Sequence, residues 1–540
     1  MDINILNVIS EKYFGIKNLK IEQYKIINSI ISGQDVCGIL PTGFGKSMTY
    51  YVPFLYTNKC VVVISPLIAL MTDQVKMLQS VNIPVICLNS ENKKKTKELA
   101  NIYAGNPSII YTTPEYLISN NFISTLAESN MLCLVAIDES HCVSNWGHNF
   151  RPDYEKLHCI KEYAPTTPIL ALTATATQRI QDDICKILRL KNPVIIKGNF
   201  DRPNLTISIS PRSSDPVVFG EILGILQKNK SSKSLIYCKT KDDTDKLAKQ
   251  LGDAGIVCAS YHAGKTTIVR NSIQQDYTTD KMLCIVATIA FGLGINIPNI
   301  RTVIHYNCPS DMESYYQEIG RAGRDGLPSA CYLYYSKKDF MISSFFNSEI
   351  SDMAFKKYKD SELLQMQQFV YNRICRRKIL LSHFDPGYNV EHCMNCDVCC
   401  NVGDAKITKF NIDDHKEDAA LIFGLIDKID KSYGATTYIS ILHGSKSKKI
   451  SMYKHVLRDY YGKGAHRDSD WWKKFISDLV AADLLAEKMM KFGYIVLLSK
   501  KGGAWFDEYQ ESVVVHSSIK ASNDFETAHK LLNNIIDNNS

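Results

Sequence analysis

The sequence predicts an α/β protein: two tandem parallel-sheet lobes, then a helical cysteine-bearing segment and a small module of helices and paired strands. Three observations predict it. Short β-branched runs alternate with helical patterns in two successive series, the pattern of parallel sheets covered by helices on both faces. A glycine-rich loop follows the first apolar strand. Five cysteines crowd between Cys375 and Cys400.

The chain has 540 residues, room for three or four domains at roughly 150 residues each. Apolar residues make up 45% and charged residues 22%. That is globular composition and excludes a disordered or collagenous chain. No apolar run reaches the ~18 residues that span a bilayer. The opening MDINILNVISEKYFGIKNLK has no small-residue cleavage site, so a soluble, intracellular protein without a membrane partner is expected. The net charge of +7 permits a polyanionic partner without demanding one. The 17 cysteines are expected to be mostly reduced core thiols.

Taken in order, VCGIL, CVVVIS, SIIYT, LCLVAID and PILALT are the strands of the first lobe, between Asp35 and Phe200. The Pro- and Ser-rich stretch from Arg202 to Asp215 reads as a linker. KSLIYC, CASYH, MLCIVAT, TVIHYN and SACYLYY form the second series, ending near Asp339. From Ser343 the pattern turns helical and enters the cysteine cluster. Asp413 to Phe506 reads as three helical segments and a strand–turn–strand ending in KKGGAWF, before a polar tail.

The clearest chemistry sits in ILPTGFGKSMTYY. A strand runs into a loop with Thr42, Gly43 and Gly45, then Lys46 and Ser47, then a helix. Backbone N–H groups of such a loop cradle phosphate at a helix N-terminus. Lys46 is placed to reach the β/γ-phosphates and Ser47 to hold Mg²⁺. LCLVAIDESH ends a strand in two acids. Asp138 is expected on Mg²⁺ and Glu139 on the attacking water. In YYQEIGRAGRDG, Arg321 and Arg324 share a helical face and are candidate arginine fingers from the second lobe.

The spacing Cys393-x2-Cys396-x2-Cys399, with Cys375 as a fourth ligand, suits a closed tetrahedral Zn²⁺ site. A four-cysteine iron–sulfur cluster is the rival. Cys400 is the spare thiol and an alternative to Cys399 as a ligand. Arg373, Arg376 and Arg377 beside the cluster read equally well as phosphate contacts or a solvated basic face. The KKKTK run at Lys93–Lys97 reads as a solvated surface rather than an import signal.

These motifs, in order, resemble the RecQ family of superfamily-two DNA helicases: PTGFGKS, SPLIALMTDQV, TTPEYL, DESHCVSNWGHNFRPDY, ALTATAT, YHAG, VATIAFGLGIN and YYQEIGRAGRDG. The resemblance spans roughly residues 10–510. It implies a first RecA-like, ATP-binding lobe over residues 1–200 and a second over 201–342. A zinc-binding subdomain over 343–405, a winged-helix (RQC) domain over 406–510 and a tail over 511–540 follow; the family's HRDC domain is not expected. It implies ATP-driven 3′-to-5′ translocation on single-stranded DNA, with unwinding of duplex or branched DNA in repair, recombination or replication. An RNA-directed helicase and an ATP-gated DNA-junction binding or annealing protein are the alternatives.

The cofactors implied are ATP, Mg²⁺ and Zn²⁺, the zinc on Cys375, Cys393, Cys396 and Cys399. Gln23 matches the family's adenine-reading glutamine, although Ile16 and Lys20 stand where the family has an aromatic residue and an arginine. Lys20 lacks the planar guanidinium that stacks on a ring, so looser adenine selection is expected. Trp146, His148, Phe150 and Arg151 match the aromatic-rich loop, whose rings can stack on bases. Thr173, Thr175, Thr288, Gly292 and Asn296 match inter-lobe and nucleotide-contact motifs. In the winged-helix part, Ser445, Lys446, Lys448 and Lys449 are placed to grip duplex phosphates, and Phe492 is the candidate strand-separating wedge. The expected partners are single-stranded and branched DNA, with a topoisomerase or single-strand-binding protein as candidate protein partner. A monomer is favoured, in the nucleus of a eukaryote or the cytoplasm of a prokaryotic or viral host.

Overall fold

The computed structural model describes residues 2–512, apart from 90, 91, 93, 145, 147–150, 213, 292–296, 373, 401–410, 430–432, 483, 491 and 492. Two units divide the chain. One comprises residues 1–366 and 374–400, the other 367–373 with the residues after 400.

The first unit opens on a seven-stranded parallel sheet. Its strands are β1 (Val36–Ile39), β2 (Cys60–Ile64), β3 (Val85–Leu88), β4 (Ile109–Thr112), β5 (Leu132–Ile137), β6 (Ile169–Thr173) and β7 (Val194–Lys197). They lie in the order β3-β4-β2-β5-β6-β1-β7. The five strands expected from the sequence are all present, and β3 and β7 are additions at the two edges. Physical position explains the omission. Every residue of β1, β2, β4 and β6 is buried, so these strands read as apolar runs. The edge strands are half-exposed and carry no such signal.

The second sheet contains β8 (Leu205–Pro211), β9 (Lys233–Tyr237), β10 (Cys258–Tyr261), β11 (Cys284–Ala287), β12 (Ile300–His305) and β13 (Ser329–Tyr335), in the order β10-β11-β9-β12-β13-β8, all parallel. Here the linker reading fails. Residues 205–211 pair with β13 along its whole length, from Leu205↔Ser329 to Pro211↔Tyr335. Their burial alternates as LTISIS predicts for an edge strand. The neighbouring Pro and Ser residues had masked that period.

Helices used below are α1 (Ile21–Ile31), α2 (Met48–Thr57), α3 (Gln178–Ile187), α4 (Met312–Ile319), α5 (Met353–Tyr371) and α6 (Arg376–Phe384). In the first sheet the loops that carry the motifs emerge at the carboxyl ends of the strands, where ligands bind in open α/β sheets. In the second sheet the arginine segment lies at the amino ends, where the Gly323 N–H donates to the carbonyl of Ile300. Among the described residues no helix is long and apolar enough to cross a membrane.

The second unit has helices α7 (Lys416–Lys428), α8 (Ala435–Leu442) and α9 (Ser469–Ala481), and an antiparallel pair, β14 (Leu485–Met490) with β15 (Gly493–Leu498). Its core gathers Phe423, Tyr438, Trp472 and Leu479. The two expected strands are present and paired, but KKGGAWF does not continue the second. Residues 500–512 form a helix whose Phe506 enters that core. Gly502 sits so close to the Leu484 carbonyl that any Cβ would collide with it, which is why glycine stands there.

Candidate active site and metal centre

The nucleotide loop follows β1 and leads into α2. Gly43 (φ 77°) and Gly45 (φ 87°) hold left-handed backbone that other residues adopt only under strain. Gly45 has a second reason to be glycine: a Cβ would lie 2.8 Å from Gln23 Nε2. Gln23, on α1, is buried and anchors the loop. Its Nε2 donates to the carbonyls of Phe44 (3.2 Å) and Gly45 (3.0 Å), and its Oε1 accepts from the Lys20 N–H (2.9 Å). The expected adenine reader is therefore tied to the phosphate loop itself. Lys20 Nζ lies 4.0 Å from the centroid of the Phe44 ring.

β5 delivers Asp138 and Glu139. Asp138 is buried, and its pKa is raised to about 6 by loss of water and by the neighbouring Glu139 charge, against an opposing pull from Lys46. Its backbone carbonyl accepts from Tyr154 Oη (3.1 Å). Glu139 stands at φ 51°, a strained conformation that turns its carboxylate toward His141. His141 Nδ1 is 3.4 Å from Glu139 Oε2 and 3.0 Å from Thr173 Oγ1, at the end of β6. Thr173 Oγ1 in turn donates to the Thr175 carbonyl (2.9 Å). The acid that would orient water is thus linked through one imidazole to the threonine motif.

The second lobe closes on the loop. Thr42 Oγ1 donates to the Gly320 carbonyl (3.2 Å), just beyond α4, and a Cβ at Gly43 would meet Arg324 Cγ at 3.4 Å. Arg324 is held down to about pKa 9, first by burial and then by the adjacent Arg321. Of the two guanidinium-bearing residues, Arg324 lies beside the phosphate loop, while Arg321 is buried next to it and to Tyr237. Sequence reasoning missed the residue that holds this segment. Arg202 donates through Nη2 to the carbonyls of Ala322 (2.9 Å) and Gly323 (2.7 Å), and through Nη1 to Thr42 O (3.4 Å). Its Arg-Pro context had been read as a linker.

The nucleic-acid candidates are less uniform. Trp146 packs edge-on to Tyr358 (5.1 Å) and Phe355 (5.9 Å) of α5, with the Arg179 guanidinium of α3 3.4 Å from its ring centroid. In this conformation one face of the ring is covered by Arg179. Arg151 Nη1 donates to the Pro66 carbonyl (2.8 Å), joining the aromatic-rich loop to the SPLIAL segment. His148, Phe150, Gly292, Asn296 and Phe492 lie outside the described residues. Thr288 accepts from the Ala290 N–H (3.4 Å) and donates its own N–H to Tyr261 O (3.1 Å), which is a turn role. Lys446 and Lys448 are exposed, Lys448 as the first residue of a short helix, Lys448–Ser451.

The cysteine cluster assembles as expected. The sulfurs of Cys375, Cys393, Cys396 and Cys399 all lie within 4.8 Å of one another. The N–H groups of Asn395 and Cys399 donate to Cys393 and Cys396 sulfur, each at 3.4 Å, the outer-shell bonds that stabilise thiolates on a metal. Cys375 is lowered to about pKa 4, chiefly by a hydrogen bond from Cys396. Four thiols with no open position fit Zn²⁺. Cys400 is exposed and outside the group. Arg376 and Arg377 form neither the phosphate contact nor the solvated face considered above. Both are buried: Arg376 pairs with Asp397 (3.1 Å), and Arg377 with Asp201 (2.5 Å) and the carbonyls of Arg202 (2.7 Å) and Leu205 (2.6 Å).

Comparisons with known proteins agree with this geometry. The DEAD/DEAH box helicase family matches residues 20–183, the helicase conserved C-terminal domain 218–326, the RecQ zinc-binding domain 337–400 and the RQC domain 409–522. An Acanthamoeba polyphaga mimivirus protein named as an ATP-dependent RNA helicase is 40% identical, over 91% of this chain and 90% of its own. The ATP-dependent DNA helicase RecQ of Haemophilus influenzae is 35% identical, over 86% and 74%. The bifunctional 3′-5′ exonuclease/ATP-dependent helicase WRN of Mus musculus is also 35% identical, but this chain covers only 36% of it. Among solved structures, a DEAD-box helicase bound to single-stranded RNA shares the fold, with a TM-score of 0.52 at 17% identity over 72% of this chain and 91% of that one. With the lobes, the cysteine site and these matches in agreement, the chain belongs to the RecQ family of ATP-dependent superfamily-two helicases.

Proposed function

We propose that the protein is a DNA helicase that moves 3′ to 5′ on single-stranded DNA and separates duplex or branched DNA. The observation that carries the motor reading is the contact of Arg324 with Gly43, because the nucleotide site is complete only when both lobes meet. Lys46 and the loop N–H groups hold the ATP phosphates, and Ser47 and Asp138 are the residues that fit Mg²⁺. That ion would neutralise charge on the β- and γ-oxygens. Glu139 orients water, while Arg321 and Arg324 stabilise charge as the γ-phosphate departs. Hydrolysis gives ADP and inorganic phosphate, and release of that phosphate removes the γ-anion between the lobes, so the two guanidinium groups lose their partner. The lobes separate, and the bound strand advances.

DNA rather than RNA is supported by the RecQ zinc-binding and RQC matches. The RNA reading keeps one specific support, the name of the mimivirus relative. The test is strand separation on a 3′-tailed DNA duplex, a 5′-tailed control and a DNA–RNA hybrid. Unwinding of the 3′-tailed DNA alone is expected. Preference for the 5′ tail or for RNA would overturn the proposal. ATP turnover without strand separation would favour an ATP-gated binding protein, and Lys46→Ala would then leave junction binding intact.

A further inference from the structure

Away from the cysteine cluster, three buried side chains from three helices converge. Glu313 lies in the first turn of α4, Glu362 on α5 and His383 near the end of α6. One carboxylate or imidazole atom from each lies within 4.8 Å of the other two. His383 Nε2 is 3.1 Å from Glu313 Oε1. Glu313 and Glu362 are 3% and 4% exposed, so neither charge is dispersed by water. Glu362 Oε2 receives no hydrogen bond from a donor group, and its carboxyl lies within hydrogen-bonding reach of the Glu313 carboxylate. Asp311, the N-cap of α4, is also buried and adds negative potential. Lys359, whose charge opposes the shift at Glu362, has its ammonium 5.6 Å from the Tyr358 ring centroid and 5.7 Å from that of Phe355. Two carboxylates confined at this separation out of water repel each other strongly unless a cation or proton lies between them. Burial and the Glu313 charge accordingly push Glu362 up to about pKa 9.

We propose that Glu313, Glu362 and His383 form a second metal site, taking a first-row divalent transition ion such as Mn²⁺ or Zn²⁺. The donor set selects that class. Two carboxylates with one imidazole suit Mn²⁺, Fe²⁺ or Zn²⁺, whereas a thiolate cluster selects softer ions and Mg²⁺ prefers oxygen alone. Three protein ligands leave coordination positions for water. The location gives the ion a task. It joins α4, which leads directly into Arg321 and Arg324, to α5, which carries Tyr358 and Phe355 onto Trp146. It also joins both to α6, which begins beside zinc ligand Cys375. A single ion would therefore set the arginine segment against the helix that holds the aromatic-rich loop. This inference does not depend on which nucleic acid the protein unwinds.

The test is metal content and thermal shift on the zinc-loaded full chain, dialysed free of loosely held ions and then titrated with Mn²⁺, which displaces zinc from a four-thiolate site poorly. Asp138→Asn serves as background, so that the nucleotide site holds no ion. One Mn²⁺ equivalent and a rise in Tm are expected, both lost in Glu362→Gln and in His383→Ala. Glu362→Gln is isosteric and removes like-charge repulsion, so it should fold, and circular dichroism checks that it does. No Mn²⁺ bound and no shift in Tm would overturn the proposal and leave a proton between the two carboxylates. Mn²⁺ binding that survives both substitutions would overturn it equally, as an adventitious ion only.

Discussion

Thr42 and Gly320 are 278 positions apart in the chain, yet Thr42 Oγ1 donates to the Gly320 carbonyl at 3.2 Å. The Gly320 Cα is so near that an added Cβ would strike that hydroxyl. The phosphate loop and the arginine segment thus meet through a residue with no side chain. Gly320→Ala should keep each lobe folded and hold the lobes apart. Overpacking of this kind costs about 1–3 kcal/mol, so nucleic-acid-stimulated ATP turnover should fall by roughly tenfold or more. Turnover at the native level would show that the contact is not needed for catalysis.

Arg324 and the buried Arg321 lie desolvated beside one another. Arg324→Ala should leave ATP binding within a few-fold, while kcat falls by about 10³ or more. Arg324→Lys should recover little, because a point charge cannot replace the fork. A loss seen mainly in KM would instead assign Arg324 to ground-state binding.

Asp138 carries a pKa raised to about 6. Its folded value lies above the unfolded one, so the folded state keeps a proton that the unfolded state has released between pH about 4 and about 6. Above that window the ionised carboxylate costs stability when no cation is bound. Nucleotide-free Asp138→Asn should therefore have a higher Tm than wild type at pH 7.5, and the gap should close toward pH 4. A variant less stable than wild type at pH 7.5 would contradict the stability part.

The four-cysteine site should hold a structural ion. Cys396→Ser should release one zinc equivalent, with a Tm lowered by more than about 5 °C. It should also impair turnover, because Arg377, two residues after Cys375, bonds the carbonyl of Arg202, which in turn holds the arginine segment. Unchanged zinc content would point to a different ligand set, with Cys400 the first alternative.

Adenine selection should be loose. Gln23 already donates its amide hydrogens to Phe44 and Gly45, and Lys20 offers no planar group. GTP should be turned over within about tenfold of ATP in kcat/KM. A strict preference for ATP would mean that Gln23 leaves the loop when nucleotide binds.

Much of the molecule was determined by sequence alone, for local reasons. Central strands such as Cys60–Ile64 are buried on both faces and must be apolar, so they stand out. The phosphate loop needs glycine at Gly43 and Gly45 and a cation at Lys46, all within a few residues. Cys393, Cys396 and Cys399 are separated by a spacing that itself brings three sulfurs together. What lies at an edge or depends on distant partners was decided only by the tertiary structure. The strand Leu205–Pro211 acquires its state by pairing with β13. Arg202 acquires its role from carbonyls more than a hundred positions away. Glu313, Glu362 and His383 share no motif and become a group only because three helices pack together there. Short-range chemistry is written in spacing, whereas the burial that makes a charge costly or an arginine useful exists only after the chain has folded.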